Sequence, residues 1–208
     1  LNEKAVFDRK NYFYPDMPKN YQISQFNSPF GVKGLIEMDG MPKVRIHDAH
    51  LEEDAGKLVH EGMTSYCDYN RAGTPLLEIV TEPDFKKPEE AELFMQNFRK
   101  MVRYLGVCDG NMEEGSMRCD VNVSVNFEGK GLGRKVEVKN LNSFRHVKLA
   151  LQYEIQRQSR MITAGESVVQ ETRLWNDEKK RTEGRRSKEN ANDYRYLPEP
   201  DLPPYCPT

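Results

Sequence analysis

The 208-residue chain has no C-x-x-C pair; Cys67, Cys108, Cys119 and Cys206 are scattered singly. That spacing excludes a zinc ribbon and a disulfide framework, and it fits a reducing compartment. No apolar run approaches the roughly 20 residues of a membrane span, so no membrane partner is expected. There is no excess of charge of either sign: Lys+Arg 31 against Asp+Glu 33 leaves a formal charge of -2. Any nucleic-acid contact must therefore use local patches rather than a global basic field. G-x-x-x-x-G-K-S/T is missing, which removes a P-loop, and Ser116 follows Gly115 without a G-x-S-x-G elbow. The four histidines, His47, His50, His60 and His146, form no H-x-x-x-H pair, so a purely local zinc site is not expected. Signal-peptide and transit patterns are absent from the opening LNEKAVFDRK, and that opening and the closing DLPPYCPT read as the ends of a segment from a longer protein.

What is present is a polar but globular composition, hydrophobic 37% and charged 31%, in a chain long enough to bury a core. LIEMDGMPKVRI places two apolar runs around Asp39-Gly40, a hairpin signal of the primed-turn kind. TPLLEIVTEP is a strand-length run interrupted by Glu78. In KKPEEAELFMQNFRKMVRYLGV, Pro88 and two acids open a helix, Gly106 ends it, and Phe94, Phe98, Met101, Val102 and Leu105 share a face. SMRCDVNVSVNF alternates over Met117–Phe127, which predicts a half-buried strand, and a Gly-rich turn leads to a second strand through Val136 and Val138. A second long helix covers SFRHVKLALQYEIQRQSRMITAG, with Val147, Leu151, Ile155 and Ile162 facing in. SVVQETRLW predicts a further strand, and the charged, Pro-rich end predicts loop with one short strand. Strands outnumber helices and connect through hairpins, so the class is α+β around a mostly antiparallel sheet.

The chemistry concentrates in acids. HLEEDAGK sets Glu52, Glu53 and Asp54 side by side, a density that suits either a solvated turn or a hard divalent cation. Glu78, Glu113, Glu114 and Asp120 add carboxylates in or beside other predicted strands and loops, and Lys57, Arg71, Arg118 and Lys139 lie close to them in sequence. Magnesium near phosphates takes a few carboxylates and waters rather than a full protein cage. A solvated outer face accounts equally well for acids on one strand. The aromatics near the start, Tyr12, Phe13, Tyr14 and Tyr21, read as core or subunit-contact residues.

Seven strings, FDRKNYFYPDMPKNYQISQF, HLEEDAGKLVHEG, NRAGTPLLEIVTEPD, NMEEGSMRCDVNVSV, VEVKNLNSFRHV, VVQETRLWN and DYRYLPEPDLPP, occur in the order found in the GatB/GatE family of tRNA-dependent amidotransferase subunits. The chain resembles that family along essentially its whole length. The resemblance implies one catalytic cradle domain over residues 1–208 with a glutamine-synthetase-like sheet, acting in the cytoplasm of a bacterium or an organelle. It implies ATP and Mg2+ as cofactors, phosphorylation of the side-chain carboxylate of Glu-tRNA(Gln) or Asp-tRNA(Asn), and amidation by ammonia channelled from an A subunit clasped by a C subunit. By matched position, Glu52, Glu53, Glu78 and Asp120 resemble the catalytic, metal-binding acids, and Lys57, Arg71 and Arg118 the phosphate or substrate contacts. Two departures stand out: no I-G-L-E-V-H-like strand precedes these strings, and Asp48 stands where the family usually has Arg before His50. Two other classes remain open, a non-catalytic RNA-binding or assembly module and a free-standing ligase acting on a small amino acid.

Overall fold

A computed structural model describes residues 1–184 and 194–206. In chain order the elements are β1 (Asp8–Asn11), β2 (Tyr21–Ser24), β3 (Gly31–Ile36), β4 (Val44–Glu53), β5 (Lys57–Glu61), β6 (Thr64–Asp68) and β7 (Pro75–Thr81). Then follow α1 (Pro88–Tyr104), β8 (Val121–Val123), β9 (Val136–Lys139), α2 (Phe144–Thr163), β10 (Thr172–Asn176), β11 (Arg181–Gly184) and β12 (Leu197–Pro198). Two helices among mostly antiparallel strands make the chain α+β, as its patterning predicts. The described residues form two compact units: 1–37, 43–84 and 194–206 in the first, 38–42 and 85–184 in the second. Among them, no helix is long and apolar enough to cross a membrane.

In the first unit, β4 is the centre of an antiparallel sheet ordered β3-β4-β7. Val44 and Ile46 alternate into the core with 1% and 7% of their surface exposed. β3 pairs with β4 only as far as Ala49, whereas β7 runs on to Glu53. Beyond Ala49, side chains join β4 to β2: Gln22 Nε2 donates to the Glu53 carbonyl at 2.8 Å, and Glu53 Oε1 accepts the Ile23 N–H at 2.9 Å. β1 lies between β12 and β2, and β5 and β6 form a separate hairpin. The β3–β4 hairpin is present, but it closes through seven residues, Glu37–Lys43, rather than through a two-residue primed turn at Asp39-Gly40. Pro42 supplies no ladder N–H there, and the Met41 sulfur accepts the Asn97 side-chain amide at 3.3 Å, which draws the loop away from a tight turn. Of the early aromatics read as core or subunit-contact residues, Phe13 is 85% exposed and Tyr14 is also exposed, so these two are not core.

In the second unit, α1 starts where Glu90 accepts the N–H groups of Lys86 and Lys87, and it ends before Gly106, whose φ of 68 is the left-handed cap geometry. Phe94 packs between Phe85 and Phe98, while Leu105, expected on the same face, is exposed. The Ser143 hydroxyl caps α2 by accepting the His146 N–H at 3.1 Å. The sheet order is β11-β10-β9-β8, with β9 and β10 parallel. The buried residues of α2 are Val147, Ala150, Glu154 and Gln158, so the inward stripe is offset from the apolar one that spacing suggests. Gln158 explains a second difference. Its Oε1 accepts the Val125 N–H at 3.1 Å and its Nε2 donates to the Val123 carbonyl at 3.3 Å. A helix side chain thus replaces the ladder partner, and only Val121–Val123 of the predicted Met117–Phe127 strand is paired. Likewise SVVQETRLW enters its strand only at Thr172. The charged stretch 185–193 lies outside the described residues, and the short strand expected after it is β12.

Candidate functional site

Strand geometry brings the acids together two at a time. Side chains at i and i+2 share a face, so His50 and Glu52 project to the same side of β4. The β4–β7 register sets His50 directly opposite Glu78. His50 Nε2 stands 3.4 Å from Glu52 Oε1 and 3.5 Å from Glu78 Oε2, while Nδ1 meets Asp48 Oδ1 at 2.8 Å. The Ser24 hydroxyl donates to Glu52 Oε1 at 2.9 Å and fixes that carboxylate. One ligand atom from each of His50, Glu52 and Glu78 lies within 4.8 Å of the others, close enough to hold a small divalent cation.

The electrostatics follow from that crowding. Hydrogen bonds to Glu52 first, then to Glu78, push the His50 imidazole up to about 10, against a smaller opposing effect of burial. Burial raises the Glu52 carboxyl, but hydrogen bonds from His50 and Ser24 outweigh it and hold the group below the ordinary carboxylate range. An imidazolium therefore supplies the positive charge among these carboxylates. With the Nε2 proton released, one imidazole and two carboxylates on a single strand pair could instead hold Mg2+ or Mn2+. The cluster lines a cleft of about 700 Å³ together with Lys10, Lys33, Phe26 and Tyr196. That volume falls within the range of small-ligand sites, ~300–1,000 Å³.

The three adjacent acids are neutralised by three different cations. Glu52 has His50. Glu53, on the opposite face of β4, has Lys19 at 2.6 Å, and Asp54 has Arg71 at 3.0 Å. Glu53 and Asp54 are both buried, so these are internal braces rather than a solvated turn. Arg71 is accordingly engaged with protein carboxylate, and Lys57 opens β5 as an exposed residue. Asp120 and Arg118 belong to the second unit, just ahead of β8, where Asp120 Oδ2 accepts Lys139 Nζ at 2.6 Å. Sequence reasoning missed His50 and its partner Asp48. The signal was there: H-x-E on a strand is an i, i+2 pair, whereas the H-x-x-x-H test applies to helices.

Fold and site together define an α+β protein with an imidazole–dicarboxylate cluster lining a ligand-sized cleft. The chain belongs to the GatB/GatE family: the family model described as the GatB/GatE catalytic domain matches residues 1–207. It is 54% identical over 212 residues to the B subunit of the aspartyl/glutamyl-tRNA(Asn/Gln) amidotransferase from Bdellovibrio bacteriovorus, an alignment covering 100% of this chain and 44% of that protein. The proteins of the same description from Persephonella marina and Thermodesulfovibrio yellowstonii are 51% and 56% identical, over 98% and 95% of this chain and 44% and 43% of theirs. The chain thus spans less than half the length of these curated relatives.

Proposed function

We propose that this chain is the phosphorylating region of the B component of a tRNA-dependent amidotransferase, acting in the cytoplasm with ATP and Mg2+ on Glu-tRNA(Gln) or Asp-tRNA(Asn). The convergence of His50, Glu52 and Glu78 in one cleft carries this reading. The matched relatives carry the name of one subunit of that amidotransferase, which supports the substrate class and implies further subunits. We assign the ammonia supply to an A subunit and the clasp to a C subunit.

A carboxylate is a poor electrophile. In the proposed reaction a side-chain carboxylate oxygen attacks the γ-phosphorus of ATP, the bond to the bridging oxygen breaks, and ADP leaves. Ammonia then attacks the acyl carbon, loses a proton, and expels inorganic phosphate as the amide forms. Mg2+ held by Glu52, Glu78 and His50 would neutralise phosphate charge during transfer. Asp48 and Ser24 keep His50 and Glu52 oriented without reorganisation, and Lys10 and Lys33 supply ammonium groups at the cleft wall. Glu53, Asp54 and Arg71 hold the end of β4 in place. In the assembled enzyme, Glu78→Gln should abolish ATP-dependent phosphorylation while glutaminase activity persists. Loss of folding alone, or full phosphorylation by the variant, would overturn the assignment.

A further inference from the structure

The cleft also holds an apolar feature that phosphoryl chemistry does not use. Phe26 follows β2 and is 62% exposed, and its ring stacks on Tyr196 with centroids 4.3 Å apart and planes within 18°. Tyr196 covers one face of the ring; exposure on that scale leaves the opposite face open. Both residues line the same cleft as His50, Glu52 and Glu78. An exposed aromatic face, backed by a second ring, is the surface on which a nucleobase stacks.

The platform is tied by hydrogen bonds to the acidic cluster. The Phe26 N–H donates to Oδ2 of buried Asp8 at 2.8 Å. Gln25, 3% exposed, accepts the N–H groups of Phe30 at 3.0 Å and Leu51 at 2.9 Å through Oε1. Leu51 sits between His50 and Glu52 on β4, so one carboxamide braces both the platform loop and the cluster strand. Flipping that amide would set its NH2 against two N–H donors, so its orientation is fixed. Its Nε2 is buried without a partner among the described residues.

The cleft thus combines three groups that could hold a divalent cation, two lysines among its lining residues and an aromatic platform, which match the metal, phosphates and base of a nucleotide. We propose that Phe26, backed by Tyr196, stacks an adenine ring; the proposal rests on the phosphorylation reading above. Two sources carry that ring: ATP, and the 3′-terminal adenosine of the charged tRNA.

The test is made in the assembled amidotransferase, its full-length B component carrying Phe26→Ala or Phe26→Trp. Phe26→Ala should raise the KM for ATP or for charged tRNA on the order of tenfold, the effect of one lost base–aromatic stack. Phe26→Trp keeps the stack and adds a fluorophore, and in this chain the only other tryptophan, Trp175, is 2% exposed. Quenching of the new emission by ADP alone identifies the ATP base; quenching by uncharged tRNA alone identifies the terminal adenosine. Unchanged KM values in Phe26→Ala, or no quenching by either probe in an active Phe26→Trp enzyme, overturns the platform. A wild-type enzyme that turns over without ATP refutes the phosphorylation reading instead, and the quenching experiment still decides the platform by itself.

Discussion

Glu154 gives the most quantitative expectation. It is completely buried on α2, yet it accepts Arg157 Nε at 2.9 Å and Nη2 at 2.8 Å, Gln158 Nε2 at 3.1 Å and the Thr182 hydroxyl, with Arg173 Nε 3.1 Å away. Glu154→Gln keeps the shape, removes the charge, and turns an NH2 group toward donors. Breaking a buried pair from one side costs about 3–5 kcal/mol, because the remaining charge is left uncompensated. Here Glu171 stays 2.6 Å from Arg173 Nη1 and 3.8 Å from Arg157 Nη2, which places the loss near the low end of that range, about 3 kcal/mol. With a urea slope of roughly 2 kcal/mol/M, the unfolding midpoint should fall by about 1.5 M at an unchanged slope. Urea titration followed by the fluorescence of Trp175, which lies in the same unit, reads this directly. A midpoint within about 0.3 M of wild type would refute the reasoning, since it corresponds to under about 0.6 kcal/mol.

Three further outcomes are expected. Ser143→Ala removes the α2 cap and should cost about 1 kcal/mol in the same titration; an unchanged midpoint would show that water replaces the hydroxyl. Burial raises the Glu154 carboxyl, but its hydrogen bonds to Arg157, Thr182 and Gln158 outweigh this and leave it below the ordinary 4.5. Its stabilisation is therefore complete above that value and is lost as pH falls below it, so Glu154→Gln should flatten the acid limb of a stability–pH curve; an unaltered limb contradicts this. His50, raised to about 10, should stay protonated at pH 8 in metal-free protein, its stabilisation complete below about 6.5 and lost progressively as pH rises to the folded value; an NMR titration midpoint near 6.5 would contradict it.

The fold was largely legible because its signals are local. Pro88, the acids after it and Gly106 bracket α1, all written in neighbouring residues. The inward face of α2 was not legible. Hydropathy favours Leu151 and Ile155 over Glu154 and Gln158, and only the arginines and β8 backbone that meet these polar groups explain their burial. The site was half legible. Glu78 stands out as an acid in an apolar run and Glu52 as one of three adjacent acids, but their convergence depends on the β4–β7 register, a long-range fact. Their neighbours Glu53 and Asp54 look equivalent in sequence and differ only in which cation the fold brings to each.

Manganese binding puts the metal assignment to the sharpest trial. Anomalous diffraction from crystals of this chain soaked in Mn2+ should show one peak among His50, Glu52 and Glu78, and Glu78→Gln should remove it. A peak beside Asp120 with none at this cluster, or no peak while the three side chains keep their observed arrangement, would contradict the assignment of this cleft as the metal site.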